Sequence, residues 1–207
     1  MARFDVFRTL ATSTDEGKIR AVRARVCRAS VFALFAVSGS LLLLPQRSNA
    51  QRLAPYASTP PDVVERMLAL AGTTAKDVVY DLGSGDGRIP LTAARIYGAR
   101  GVGIELDGQL VEASRAAAAA AGLAKLVEFR QEDALLADIS PATVVTLYVL
   151  ASGNARLMPR LKSQLRPGTR IVSHAFSMGP SWPADKVEHF VSAGGDEVTL
   201  YLWTIGK

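Results

Sequence analysis

Two hydrophobic periods alternate along the chain from about residue 59 onward. Short apolar runs rich in β-branched residues give way to stretches where apolar residues recur every three or four positions. Thr59-Pro60-Pro61-Asp62 predicts a helix start, with Thr59 as N-cap and proline in the first turn. Val63, Val64, Met67, Leu68 and Leu70 follow at helical spacing, and Gly72 stops the helix. The pattern then predicts a strand at Val78–Asp81, a helix at Ile89–Tyr97, a strand at Gly101–Glu105 and a helix at Gln109–Ala121. Six consecutive alanines at 116–121 favour that last helix, since alanine is the best helix former.

Leu126–Arg130 predicts a third strand and Thr143–Val149 a fourth, apolar enough to be central in a parallel sheet. A helix at Asn154–Leu165 is stopped by Pro167-Gly168, and Arg170–Phe176 is a fifth strand. Ser177–Asp185 is irregular. Val187–Val191 and Glu197–Thr204 read as a terminal antiparallel pair around Gly194-Gly195. Strand–helix alternation of this kind predicts a three-layer α/β sandwich with its ligand beyond the carboxyl ends of the strands.

The chain has 207 residues and a formal charge of +5. Residues 1–50 hold eight basic and three acidic residues, hence 8 − 3 = +5, and 51–207 is formally neutral. The charge therefore gives no reason to expect a nucleic-acid partner for the globular part. A basic stretch ending at Arg28 precedes the uncharged Ala29–Leu44, and Ser48 and Ala50 fit a signal-peptidase site. Residues 1–50 are expected to be a signal peptide or an N-terminal membrane anchor, with 29–44 giving any membrane association. The domain would then be exported or membrane-associated (periplasmic in a bacterium), although a cytoplasmic face is open too. The remaining readings are a transit peptide or a start codon set too early. The single cysteine, Cys27, excludes a disulfide scaffold, and two histidines without a cysteine cluster offer no metal site.

The first strand runs into Asp81-Leu82-Gly83-Ser84-Gly85-Asp86-Gly87-Arg88. Alternating glycines let the backbone turn and approach a ligand. A dinucleotide fingerprint would need glycine where Arg88 stands, and no Lys-Ser/Thr follows for a phosphate loop. Asp81 and Asp86 suit a ligand carrying positive charge. The second strand ends at Glu105, which can accept from ribose hydroxyls. Asp133, after the third, can accept from an adenine amine. Singly, Glu105 or Asp133 reads equally well as a helix cap or a solvated charge. Three acids at three successive strand ends, the first entering a glycine loop, form a far more specific pattern.

On Asp81–Gly87, Glu105 and Asp133, residues 55–207 resemble the class I S-adenosylmethionine-dependent methyltransferases. The resemblance implies a Rossmann-like, seven-stranded, mostly parallel sheet with the last strand antiparallel. It places Gly83 and Gly85, with Ser84 and Gly87 in the same loop, at the methionine part and Asp81 near its amino group. It gives the ribose to Glu105 and the adenine amine to Asp133. Pro55–Pro60, Asp81–Ile89, Val144–Leu150 and Ser173-His174 are also similar to a small group of protein-lysine methyltransferases. Its eukaryotic members modify mitochondrial membrane proteins, among them the c-ring protein of ATP synthase and the adenine nucleotide carrier. The match weakens after the fourth strand, where Val149-Leu150-Ala151-Ser152 follows Tyr148 and a proline is absent.

A lysine acceptor must lose its proton, which costs about 4.6 kcal/mol at pH 7 from an ordinary pKa near 10.4. Tyr148 is a candidate to orient the acceptor nitrogen and His174 a candidate base. Each has a plain alternative, as a half-buried strand aromatic and a strand-end histidine. Tyr56 is expected over the cofactor, Thr146 inside the strand, and Trp182 either along an acceptor channel or in packing. The acceptor is expected to be a protein, with a membrane protein among the candidates, and not nucleic acid; the Asn/Asp-Pro-Pro-aromatic signature of base methylation is absent after strand four. Methylation of a small-molecule N or O acceptor, and non-catalytic binding of S-adenosylmethionine, stay open as alternatives.

Overall fold

The computed structural model describes residues 53–207. The signal peptide or anchor expected in residues 1–50, including the apolar stretch 29–44, lies outside the described residues. Among the described residues no helix is long and apolar enough to cross a membrane.

The elements are α1 (Pro61–Leu70), β1 (Val78–Leu82), α2 (Arg88–Tyr97), β2 (Arg100–Glu105), α3 (Gly108–Ala120), β3 (Val127–Gln131), β4 (Val144–Leu147), α4 (Ala151–Gln164), β5 (Arg170–His174), β6 (Lys186–Val191) and β7 (Glu197–Thr204). The strands form one sheet in the order β3-β2-β1-β4-β5-β7-β6. Pairings from β3 to β5 are parallel, and β7 runs antiparallel to both β5 and β6. The order reverses between β1 and β4. This is where an open α/β sheet leaves a crevice at its carboxyl edge.

Strand alternation sends each strand's side chains to two cores. Val79, Val144, Val172 and Leu200 pack under Val63, Met67 and Leu68 of α1 and Ile89 and Ala93 of α2. Val127 and Phe129 pack with Val111 and Ala118 of α3 on the same side. Tyr80, Leu82, Val145, Leu147, Ile171 and Trp203 face the other way, against Leu157 and Leu161 of α4. The expected three layers result, with the Rossmann-like methyltransferase topology.

Local chemistry moves several boundaries. Helix α1 starts after Pro60 with no side-chain cap, so Thr59 is not its N-cap; the Thr59 carbonyl instead accepts from Arg88 Nη1 at 2.8 Å. Helix α3 has its cap in Asp107, whose carboxylate accepts from Gln109 N at 2.9 Å. Helix α4 starts at Ala151, three residues before Asn154, and absorbs Pro159. Strand β4 is shorter than its apolar run. Thr143 bonds through its side chain to Asp77 Oδ1 (2.7 Å) and Val78 N (2.9 Å), and Tyr148 to Leu150 leave the sheet. Strand β5 ends at His174 because Ala175 takes φ +65°, which breaks an extended run.

Candidate active site

The glycine loop after β1 is built on left-handed backbone. Gly83, Gly85 and Gly87 have φ of +89°, +54° and +77°, values that L side chains adopt at a cost. Gly83 N and Ser84 N both donate to the Ile104 carbonyl, at 2.8 and 3.0 Å, which pins the loop to β2. The Glu105 carboxylate ties the other side. It accepts from Gly85 N (2.9 Å), Leu106 N (2.8 Å) and Asp107 N (2.9 Å). One acid thus joins the loop to the turn before α3.

Asp81 is 3% exposed, and its Oδ1 accepts from Thr146 Oγ1 at 2.8 Å. Burial pushes its carboxyl up to about 7, against the hydrogen bond from Thr146 and with help from Glu105 and Asp86. Asp86 is committed elsewhere. Arg88 Nε donates to both its oxygens, at 2.9 and 3.1 Å, and Nη2 to Oδ2 at 2.5 Å. That pairing holds the Asp86 carboxyl below its usual range, so Asp86 lines the smaller lobe already paired with Arg88.

Segment 53–59 crosses the loop as a strap. Arg88 holds its end through Thr59 O. Tyr56, half exposed, lies across Gly85 so closely that a Cβ there would sit 2.6 Å from its ring. At the other end of the strap, a side chain on Gly153 would sit 3.1 Å from the Leu53 carbonyl and from Val149.

Under the strap lies a cleft of two lobes that share Tyr56, Ala57, Gly83 and Tyr148. The larger, about 610 Å³ including its open part, is lined by Leu53, Glu105, Leu110, Glu132, Asp133 and Val149 among others. The smaller is lined by Asp81, Ser84, Gly85, Asp86 and Arg88. Asp133 caps its own turn, with Oδ1 accepting from Leu135 N at 2.9 Å.

Of the residues singled out in the sequence, Tyr56, Asp81, Gly83, Ser84, Gly85, Glu105, Asp133 and Tyr148 line this cleft. The Ser84 hydroxyl itself is buried without a partner and faces Gly103, so Ser84 meets the cleft through backbone. Gly87 lines neither lobe: a Cβ there would strike Phe129 at 2.5 Å, and its role is to let α2 start against β3. His174 also lies outside the lining. Its ring stacks on Tyr148 with centroids 4.0 Å apart, and its Nδ1 is buried without a hydrogen-bond partner among the described residues. Burial pushes its pKa below the ordinary imidazole value. Trp182 belongs to packing. It lies beside Trp203 (6.1 Å) and under the Lys162 ammonium (4.6 Å). Arg88, Leu110 and Val149 were missed as site residues, whereas Thr146 lies inside β4 as expected and bonds to Asp81; the Asp86/Arg88 charge pair two positions apart was the one signal for the first.

The cleft fits S-adenosylmethionine. A buried, elevated carboxyl at Asp81 calls for a cation at the smaller lobe, and Gly83, common to both lobes, presents bare backbone to a ligand. Fold and site together define a class I S-adenosylmethionine-dependent methyltransferase. Residues 81–186 match the ANTKMT methyltransferase domain, and the chain belongs to that family. It is similar to a protein-lysine N-methyltransferase of Saccharolobus islandicus, 38% identical over 154 residues, which are 74% of this chain and 94% of that one. It is also similar to the adenine nucleotide translocase lysine N-methyltransferase of Mus musculus, 33% identical over 165 residues, 78% of this chain and 69% of that one. A crystal structure described as an RNA methyltransferase from Salinibacter ruber in complex with S-adenosyl-L-homocysteine superposes with a TM-score of 0.67. It is 56% identical and covers 72% of this chain and 94% of that one.

Proposed function

We infer that this enzyme transfers the methyl group of S-adenosylmethionine to a lysine side chain of a protein, and we propose that the protein is a membrane protein. The observation that carries the lysine reading is kinship along nearly the full length of a protein-lysine N-methyltransferase. The membrane-protein reading rests on the mouse relative, named for the adenine nucleotide translocase. It is supported by apolar side chains next in sequence to cleft-lining residues. Leu136 is 61% exposed just beyond Ala134, and Leu150 is 42% exposed beside Val149.

S-Adenosylmethionine, when bound, supplies an electrophilic methyl group. Asp81 would receive its amino-acid ammonium, Glu105 its ribose hydroxyls and Asp133 its adenine amine. Tyr56 and the strap exclude water from above. Tyr148, shared by both lobes, orients the acceptor nitrogen through its hydroxyl. The proton of the acceptor ammonium leaves to water, and His174, kept neutral by burial, backs the Tyr148 ring from outside the cleft lining. Positioning of this kind supplies about 7–11 kcal/mol in well-oriented reactions. The N-terminal leader would bring the domain to its membrane, on a side that a reporter fused to the C-terminus would identify.

The test is incubation of the full chain with labelled S-adenosylmethionine and, separately, a membrane-protein fraction, a soluble-protein fraction and total RNA. Label on lysine in the membrane fraction is expected. Label in soluble protein alone would overturn the membrane reading, and label in RNA alone would overturn the lysine reading.

A further inference from the structure

The turn after β5 is held in an unusual state. Phe176 N donates to the His174 carbonyl at 2.8 Å around Ala175, whose φ is +65°. This is a γ-turn of the strained, positive-φ kind, on a residue with a Cβ. Such outliers persist only where the surroundings over-determine them. The determinants come from α4. Asn154 is fully buried, and its Nδ2 donates to Phe176 O (2.9 Å), Ser173 Oγ (3.2 Å) and Ser177 O (3.4 Å). Ser173 Oγ in turn donates to Phe176 O at 2.7 Å. From the far side, Ala175 N donates to Thr199 O of β7 at 2.8 Å. The turn begins at His174.

We propose that Asn154 is a positioning residue for methyl transfer: through Ser173 and the Phe176 carbonyl it holds the His174–Phe176 γ-turn and so seats the His174 ring on Tyr148. This rests on Tyr148, which lines both lobes, orienting the acceptor nitrogen. None of the hydrogen bonds of Asn154 reaches a cleft-lining residue, so its effect is on the ring and not on the cofactor. Tyr148, just past β4, is the titratable group stacked on that ring; β7 opposes His174 with Leu200.

The chain has two histidines, His174 and His189, so the His174 imidazole can be followed by nuclear magnetic resonance, with a His189→Asn variant giving the assignment. Three quantities are measured on the full chain: the His174 titration midpoint, S-adenosylhomocysteine affinity by calorimetry, and the rate of label transfer into a membrane-protein fraction. For Asn154→Ala the expected results are a midpoint raised towards the ordinary imidazole value, affinity within twofold, and a rate at least tenfold lower. Adding Ala175→Gly removes the cost of positive φ and should recover at least threefold of that rate. Ser173→Ala leaves little cavity and should give a weaker form of the same pattern, which keeps the test open if Asn154→Ala does not fold. A midpoint unmoved in the folded variants would overturn the proposal, as would a fall in cofactor affinity matching the fall in rate. A rate unchanged in His174→Gln would instead overturn the role of His174, while the titration readout would still test its seating.

Discussion

Asp81 gives the sharpest handle on the cofactor assignment. Its carboxyl titrates at about 7 in the ligand-free protein, against 3.8 for an ordinary aspartate, chiefly because it is buried. If the cofactor's ammonium is its partner, binding must draw the carboxyl into its ionised form. Near pH 7, where free Asp81 is about half protonated, binding should therefore release about half a proton. Between pH 6 and pH 8 the affinity should rise about tenfold, the ratio of the fractions already ionised at the two values. The assay is calorimetry with S-adenosylhomocysteine, which carries the same amino-acid ammonium, in buffers of differing ionisation enthalpy. In Asp81→Asn both the proton release and the pH dependence should vanish, and affinity at pH 8 should fall more than tenfold. The stability effect has the opposite sign. A carboxyl with a raised folded pKa makes its full contribution to stability below about pH 4 and loses it as pH climbs through about 7. The shift corresponds to a cost on the order of 4 kcal/mol for holding the ionised carboxylate. Asp81→Asn, which keeps an acceptor for Thr146, should then melt higher than wild type at pH 8 without ligand. No proton release at pH 7 and a flat affinity between pH 6 and 8 would refute the pairing.

Glu105→Ala should weaken S-adenosylhomocysteine more than tenfold by calorimetry and lower the melting temperature. It removes the acceptor of three backbone N–H groups together with the ribose partner. Unchanged affinity would remove the ribose role. Tyr148→Phe should slow methyl transfer at least tenfold with cofactor affinity within about threefold; equal losses would make Tyr148 a packing residue. Gly153→Ala should push the strap off the cleft, because its Cβ meets the Leu53 carbonyl at 3.1 Å. The expected signs are weaker cofactor binding and faster proteolysis near Leu53, the proteolysis being partly suppressed by bound S-adenosylhomocysteine.

The alternation of hydrophobic periods was enough to predict the sheet, its antiparallel end and most helices, because those elements follow from burial on two faces. The glycine loop and the acids at 81, 105 and 133 were legible because their spacing puts them at strand ends. What escaped were features fixed by contacts distant in sequence. Thr59 lost its capping role once Arg88, from the next helix, took its carbonyl. Asp86 reads as an unpaired acid in the sequence, whereas the fold pairs it with Arg88 at the edge of the smaller lobe. Ala175 carries no mark of positive φ, so the end of β5, and with it the placement of His174, depends on Asn154 of α4 and on β7. The same holds for Glu105, whose bonds to Gly85 and to the turn before α3 no local pattern announces.

The central claim is tested most directly by the chemical identity of the methylated product. A membrane-protein fraction is labelled by the full chain with S-adenosylmethionine, hydrolysed completely, and its amino acids separated. Labelled ε-N-methylated lysine, formed more slowly at sub-saturating cofactor when Asp81→Asn replaces the wild type at pH 8, is the predicted result. Label confined to nucleosides of an RNA fraction or to small molecules, with none in lysine, would contradict it.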